Sequence, residues 1–547
     1  MTAARHLASL TAAAEDAGRV EVVVDDLPEA VLQAVTGLMW LHGRDRGVPE
    51  RLGLDVASAA TGLLAGQGLL AGLVARRRGL PVSKVEVSGL SGALQFLLHH
   101  LAIATGSGTF PFPPGGVPGS PFATADGAYV EIEVLSGDSW IAFWRRLGLT
   151  DAGVVGGAWL PYVYRYLAAR CDLPPDLSDA VRRHDLAEVR AAAESCGAAV
   201  AVVRAESMTY APPPWTMSPF PASPPAPPPI EPARPLDGMV VVEATSRLQG
   251  PLAGLLLRHL GAEVIKIEPP GGDFGRHSPP LAGETGAAYL AYNRGKRVVE
   301  IDYKRPSGLE QLRELATDAD VFLHNWRPGR AEGLGLDGPG LARLNPRAVH
   351  AYASGWGEAP ETPAAIAGDF VVQAYAGTGA LLRPPGEPPL PSRLTLVDVT
   401  GGLLVAEAVL AALLEREHTG RGAAVTTSLV GAAAVLASEP ARGRGPLDQP
   451  LATPVGHLVV VPGRASGRAR LARACGLPEP AGDEAFARRL AGRPAADWVA
   501  ELAAAGVPAA VCRTDLADLP SDPLLGGLLE RVDDVCWVPA PPWRFDA

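Results

Sequence analysis

The chain has 547 residues, 47% hydrophobic and 20% charged, with a formal net charge of −11. That apolar share excludes a disordered chain and builds sizeable cores, at this length in two to four domains, while the acidic balance excludes nucleic acid as a partner and leaves any anion site local. Five cysteines without C-x-x-C spacing exclude a disulfide framework and a cysteine metal site, and suit a reducing cytoplasm.

Residues 1–18 lack the unbroken apolar core of a signal peptide. The most apolar stretch, 59–75, contains Gln67 and several glycines; a buried helix is expected there rather than a membrane span. Residues 211–235 are dominated by proline, which cannot occupy helix interiors or sheet centres, so they read as a semi-rigid linker between parts 1–210 and 236–547. The second part opens with strand signals at 239–244, 263–268, 297–302, 321–326 and 348–354. Helical stretches at 251–260 and 307–316 lie among them. Such alternation predicts an α/β fold: a Rossmann-like parallel sheet with helices on both faces, with ligands beyond the carboxyl ends of the strands.

The two parts repeat each other. Residues 402–428 (GLLVAEAVLAALLEREHTGRGAAVTTS) align without gaps on 62–88 (GLLAGQGLLAGLVARRRGLPVSKVEVS), and Glu407 in the later copy again favours a buried helix over a span. AT-x-x-G occurs at 123–127 and 452–456, GAAVAVVR (197–204) matches GVPAAVCR (506–513), and APPPW (211–215) is echoed by APPW (540–543). Four blocks in one order indicate a partial internal duplication. The first part has no equivalent of 238–400, so it is a truncated, degenerate copy.

Six segments of the second part resemble the class III CoA-transferase family, which includes formyl-CoA and carnitine-CoA transferases and the α-methylacyl-CoA racemases. They are PLDGMVVVEATSRLQGPLAGLLLRHLGAEVIKIEPP (235–270), NRGKRVVEIDYKRPSG (293–308), ADVFLHNWRPG (319–329), GDFVVQAYAGTG (368–379), LVDVTGGLLVAEAVLAAL (396–413) and TGRG (419–422). The resemblance implies a smaller α+β domain beside the sheet, and transfer of CoA from an acyl-CoA thioester to a carboxylic acid through an aspartyl anhydride and an aspartyl-CoA intermediate. It puts the nucleophile at Asp398, where amides at a helix start favour a carboxylate; a plain N-cap is the blander reading of the same residue. Asp369 falls at the same active site, to orient the nucleophile or handle protons, with a turn aspartate as the alternative. Asn325 and Gln249 fall near the thioester, Gln249 one position away from the glutamine of the formyl-CoA enzyme. Lys266, Arg276, Arg294, Lys296 and Arg330 are candidates for the CoA phosphates, each also readable as a surface charge. Racemases of the family carry a histidine base before the second aspartate; Gly368 stands here, which favours transfer over isomerisation or racemisation.

The only cofactor expected is CoA, as substrate, without metal: His324, His350 and His418 show no ligand spacing. The G-x-G-x-x-G match at 333–338 does not follow a strand signal and is set aside as a dinucleotide motif. Two departures stand out. Ser58 occupies the nucleophile's place in the first copy, and the second copy is short after Ser428, where the family has a longer small domain. The halves are therefore expected to complement each other, the first supplying the lid or dimer-like surface that the second lacks. No membrane partner is expected, and the assembly is either a homodimer or an intramolecular pseudo-dimer. A catalytically inactive CoA-binding scaffold is the alternative from another class.

Overall fold

The computed structural model describes residues 20–546 apart from 26, 113–116, 222–231, 363–365, 384–388 and 439–444; the leaderless reading of 1–18 lies outside the described residues. In the first half, β1 (Glu21–Val24) leads to α1 (Glu29–Thr36), the long α2 (Val56–Arg77) and β2 (Lys84–Val87), which pairs parallel with β1. β3 (Tyr129–Glu133) and β4 (Ala199–Val202) then pair antiparallel in a small sheet. The proline-rich stretch is not only a linker: Trp215–Pro219 forms β5.

The second half carries β6 (Val240–Ala244), α3 (Gln249–His259), β7 (Glu263–Glu268), β8 (Arg297–Glu300), β9 (Val321–His324) and β10 (Val349–Ser354). α4 (Asp369–Ala376), α5 (Leu396–Thr419) and β11 (Ala423–Ser428) follow, then β12 (His457–Val460), β13 (Ala509–Val511) and the last strand β14 (Trp543–Asp546). The large sheet has the order β8-β7-β6-β9-β10-β11-β5. The first six strands are parallel, and β5 runs antiparallel at the edge. The strand and helix expectations for 239–354 hold to within two residues at each end; Ile301 and Asp302 leave the end of β8, and Asn325 and Trp326 the end of β9.

Alternate side chains explain the two-sided cover. Val241, Leu323 and Val349 face the core they share with α3 and α5. Val242 and Phe322 face the other layer, packed with Leu312 and Ala316 of the helix Pro306–Asp318.

The two halves interlock. α2 and α5 are both long and apolar enough to cross a membrane, but 94% and 89% of their most apolar windows are buried inside the molecule. They pack in one core cluster, where Gln67 Nε2 of α2 donates to the Leu403 carbonyl of α5 at 2.7 Å. The halves also exchange strands. β5, from the end of the first half, adds to β11, placing Trp215 opposite Thr427. β14, from the end of the second, adds to β2, placing Trp543 opposite Val87. Each tryptophan indole then donates into the neighbouring long helix: Trp215 to Glu407 Oε1 at 3.0 Å, Trp543 to the Leu64 carbonyl at 2.7 Å. Trp215 and Trp543 are the APPPW and APPW echoes, and their shared role is the physical content of that repeat.

Each half's small sheet packs on the other's helices. Val459 and Ala510, from β12 and β13, join Ala30, Val31 and Ala34 of α1 in one cluster. Val203, just past β4, donates to the Tyr129 carbonyl, and Arg204 next to it donates to the Ala374 carbonyl of α4 at 3.1 Å, tying the first half's small sheet to the start of the second half's site. Residues 1–210 and 236–547 are thus sequence units and not separate spatial bodies.

Candidate active site

Asp398 is the third residue of α5, and its backbone N–H donates to Asp369 Oδ2 at 2.7 Å. Asp369 opens α4 and is fully buried. One turn later Gln373 donates to Asp369 Oδ1 at 2.5 Å and to the Leu394 carbonyl at 3.0 Å, while its own oxygen accepts from Ser392 N at 2.9 Å. This clamp fixes the chain that enters α5, and with it the position of Asp398.

Burial pushes both carboxyls up. Asp369, deeper and facing the charge of Asp398, is held well above the usual carboxylate range. Asp398 is pushed up to about 7 by burial, with Arg247 opposing the shift and Glu133 adding to it. The pair therefore shares its ionisation, with the proton favouring Asp369 near neutrality.

Asp398 lines a cavity of about 550 Å³ together with Ser246, Arg247, Gln249, Asn325, Gly368 and Leu429, and with Glu133 and Leu135 from the first half. The cavity lies beyond the carboxyl ends of β6, β9 and β10, as expected for an open parallel sheet. Its size suits a pantetheine arm and a short acyl group. Gln249 is 5% exposed, and its amide nitrogen has no hydrogen-bond partner among the described residues. A Cβ placed on Gly401 would stand 2.9 Å from that nitrogen, so the free donor lies against the first turn of α5. Asn325 accepts from Ser246 N at 3.2 Å and donates to the Ser246 carbonyl at 2.9 Å, which makes it the brace of the β6–α3 turn.

The expected phosphate cations divide. Lys266 and Lys296 are removed from that set: their side chains are fully buried and neutralise Glu243 at 3.4 and 2.7 Å, beneath the sheet end. Burial lowers Lys296 to about 8. Arg294 is likewise committed, to Glu530 at 2.9 Å and the Pro539 carbonyl at 2.8 Å. Arg276 forks onto Glu268 at 2.5 and 3.2 Å. Arg330 is exposed, with its guanidinium 5.5 Å from the Tyr303 ring. The cations that do line the cavity are Arg247 and Arg327. The sequence offered one signal for Glu133, the acids alternating with apolar residues in YVEIE, but that pattern reads as a strand with one solvated face. In the structure both Glu131 and Glu133 are buried.

His324 and His350 meet through their Nε2 atoms at 3.0 Å, buried, and no group of three metal-ligating side chains occurs among the described residues. Gly333 lies in the short helix Arg330–Leu334, Gly335 follows it and Gly338 opens the next helix, with no strand leading directly in.

The first half preserves a counterpart of the clamp, displaced by 340 positions. Ser58 N donates to Glu29 Oε2 at 2.7 Å, Gln33 Nε2 to Glu29 Oε1 at 2.8 Å and to the Leu54 carbonyl at 3.1 Å, and Leu52 N to Gln33 Oε1 at 3.0 Å. Glu29, Gln33 and Ser58 thus stand for Asp369, Gln373 and Asp398. The Ser58 hydroxyl itself donates to Glu29 Oε2 at 2.7 Å. The scaffold survives there with serine at the place of Asp398 and without the βα layers of the second half.

This is a parallel-sheet α/β fold with an acid pair at a helix start. The chain belongs to CoA-transferase family III, whose description matches residues 28–220 and again 236–457. It is 41% identical over 201 residues to a probable fatty acyl-CoA transferase of Mycobacterium tuberculosis, covering 35% of this chain and 50% of that protein. It is 36% identical over 203 residues to the acetyl-CoA:oxalate CoA-transferase of Acetobacter aceti, covering 37% and 52%. The chain thus spans about half the length of the curated relatives it matches. A crystal structure of the M. tuberculosis protein matches at 31% identity over 58% of this chain and 93% of that one, with a TM-score of 0.49.

Proposed function

We propose that this protein transfers CoA from an acyl-CoA to a carboxylic acid, with Asp398 as nucleophile. The carboxylate attacks the thioester carbonyl, forming an acyl-aspartyl anhydride and releasing CoA thiolate. The thiolate attacks the aspartyl carbonyl, giving aspartyl-CoA and freeing the donor acid. The acceptor carboxylate attacks that thioester, and the returning thiolate completes the new acyl-CoA, so no net proton or electron is exchanged. The observation that carries this reading is that Asp398 faces a cavity of pantetheine size beside a buried amide donor, Gln249 Nε2, that nothing in the described chain satisfies. Such a donor suits the oxyanion that develops at each carbonyl. Arg327 at the cavity wall and the exposed Arg330 are cations available to the CoA phosphates. The unpaired state of all five cysteines fits a cytoplasmic setting.

Incubation with a panel of acyl-CoAs followed by peptide mass spectrometry tests this. An acyl or CoA adduct on the peptide carrying Asp398, lost in Asp398→Ala, is expected. Full activity of that variant would overturn Asp398 as the nucleophile, and wild type that binds CoA without adduct or transfer would leave only the scaffold reading. A racemase would wash solvent deuterium into the α-carbon of an α-methylacyl-CoA; with glycine at 368, no such incorporation is expected.

A further inference from the structure

Glu133 is the one carboxylate in the wall of the Asp398 cavity that the first half supplies. It ends β3 and is 2% exposed. Its Oε2 accepts from Arg165 at 2.8 Å and from the Tyr166 hydroxyl. Arg165 lies 3.8 Å from the Tyr162 ring, and Tyr166 stacks on Phe370 with centroids 4.4 Å apart, so the group is rigid. A Cβ on Gly368 would come within 2.9 Å of Glu133 Oε2, which places the carboxylate over the start of α4, beside the acid pair. Both hydrogen bonds fall on Oε2; Oε1 takes none among the described residues. Glu133 lies in the cavity wall, where a ligand that brings a donor gains a hydrogen bond to a charged group.

Arg247 lines the same cavity on a left-handed backbone (φ 66°), and no hydrogen bond or ion pair to it occurs among the described residues. Strain held at a site wall marks a side chain kept in place for a purpose. Arg247 also acts on the charge of Asp398, as Glu133 does.

Resting on the CoA-transfer reading of this site, we propose that the acid served by Asp398 is a short monocarboxylic acid carrying a hydroxyl on its carbon chain. Arg247 holds its carboxylate, and Glu133 Oε1 accepts its hydroxyl hydrogen. Glu133 Oε1 offers no donor to a second carboxylate at that place, so plain dicarboxylic acids are disfavoured.

The test uses the full chain and the acyl-CoA that labels it best. Matched acceptors are compared by kcat/KM: propanoate with 2-hydroxypropanoate, butanoate with 3-hydroxybutanoate, and butanedioate as the charge control. Wild type is expected to favour a hydroxylated member about tenfold or more, as a hydrogen bond to a charged group allows. Glu133→Gln, close in shape, is expected to reduce that preference to within about threefold and to raise the relative use of butanedioate. Equal use of both members of each pair by wild type overturns the proposal, independently of how any variant folds. So does a Glu133→Gln enzyme that keeps the full preference. Transfer without discrimination removes this inference alone; an unlabelled Asp398 with no transfer to any acid removes the underlying reading with it.

Discussion

At Asp398 two effects oppose each other. The start of α5 favours a carboxylate, while burial penalises it, and burial wins: the group titrates near 7 in place of its ordinary 3.8. In the proposed reaction the ionised form attacks, so kcat/KM is expected to rise with pH through about 7 and level off above it. A pH–rate profile already flat from pH 5 would contradict this. The same shift bears on stability. A carboxyl whose folded pKa lies above its unfolded value binds more protons when folded, so its stability cost is absent below about 3.8, grows between 3.8 and 7, and is complete above 7. Asp398→Asn is therefore expected to be inactive yet more stable than wild type above pH 7, on the order of 2 kcal/mol after allowing for partial solvent access. The gap should close on acidification, which denaturant titrations at pH 5 and 8 would show.

Among the elements, the contact of α3 with α5 sets the site. Gly402 makes it possible: a Cβ there would stand 2.7 Å from the Gln249 carbonyl and 3.0 Å from Leu252 Cβ. The first is backbone and cannot give, so Gly402→Ala pushes α3 outward and carries the Gln249 amide away from Asp398. A loss of about 1–3 kcal/mol is expected from the overpacking, with a larger fall in kcat than in affinity for the acyl-CoA. Thermal melts and steady-state kinetics on the variant check both. The strand exchange is the other element-level device. β5 and β14 each leave the half that encodes them, cover an otherwise open sheet edge, and deliver an indole to the facing long helix. The buried Glu243–Lys266–Lys296 group similarly couples β6, β7 and the start of β8 beneath the site.

Across the whole molecule, the second half is incomplete without the first. Residues 237–547 alone would lack β5, the α2 face against α5, and the Glu133–Leu135 wall of the cavity. That fragment is expected to be insoluble or, if recovered, inactive on acyl-CoA; a soluble fragment with full activity in a labelling assay would refute the mutual dependence.

The sequence by itself determined what is local or periodic. Apolar runs of strand length fixed the β6–β10 series, and the family segments placed the acid pair Asp369 and Asp398. The ungapped repeat marked Ser58 as the nucleophile's replacement in the first copy. Only the tertiary structure decided what depends on distant pairing. Lys266 and Lys296 read as free cations until the sheet buried them against Glu243. Trp215 read as linker until an edge strand formed. Glu133 carried no sequence signal of a site role; the first half's small sheet, folded onto α4, puts it in the cavity wall. Periodicity records which face of an element is apolar; it carries no record of what the opposite face meets, because that is set by contacts between residues hundreds of positions apart.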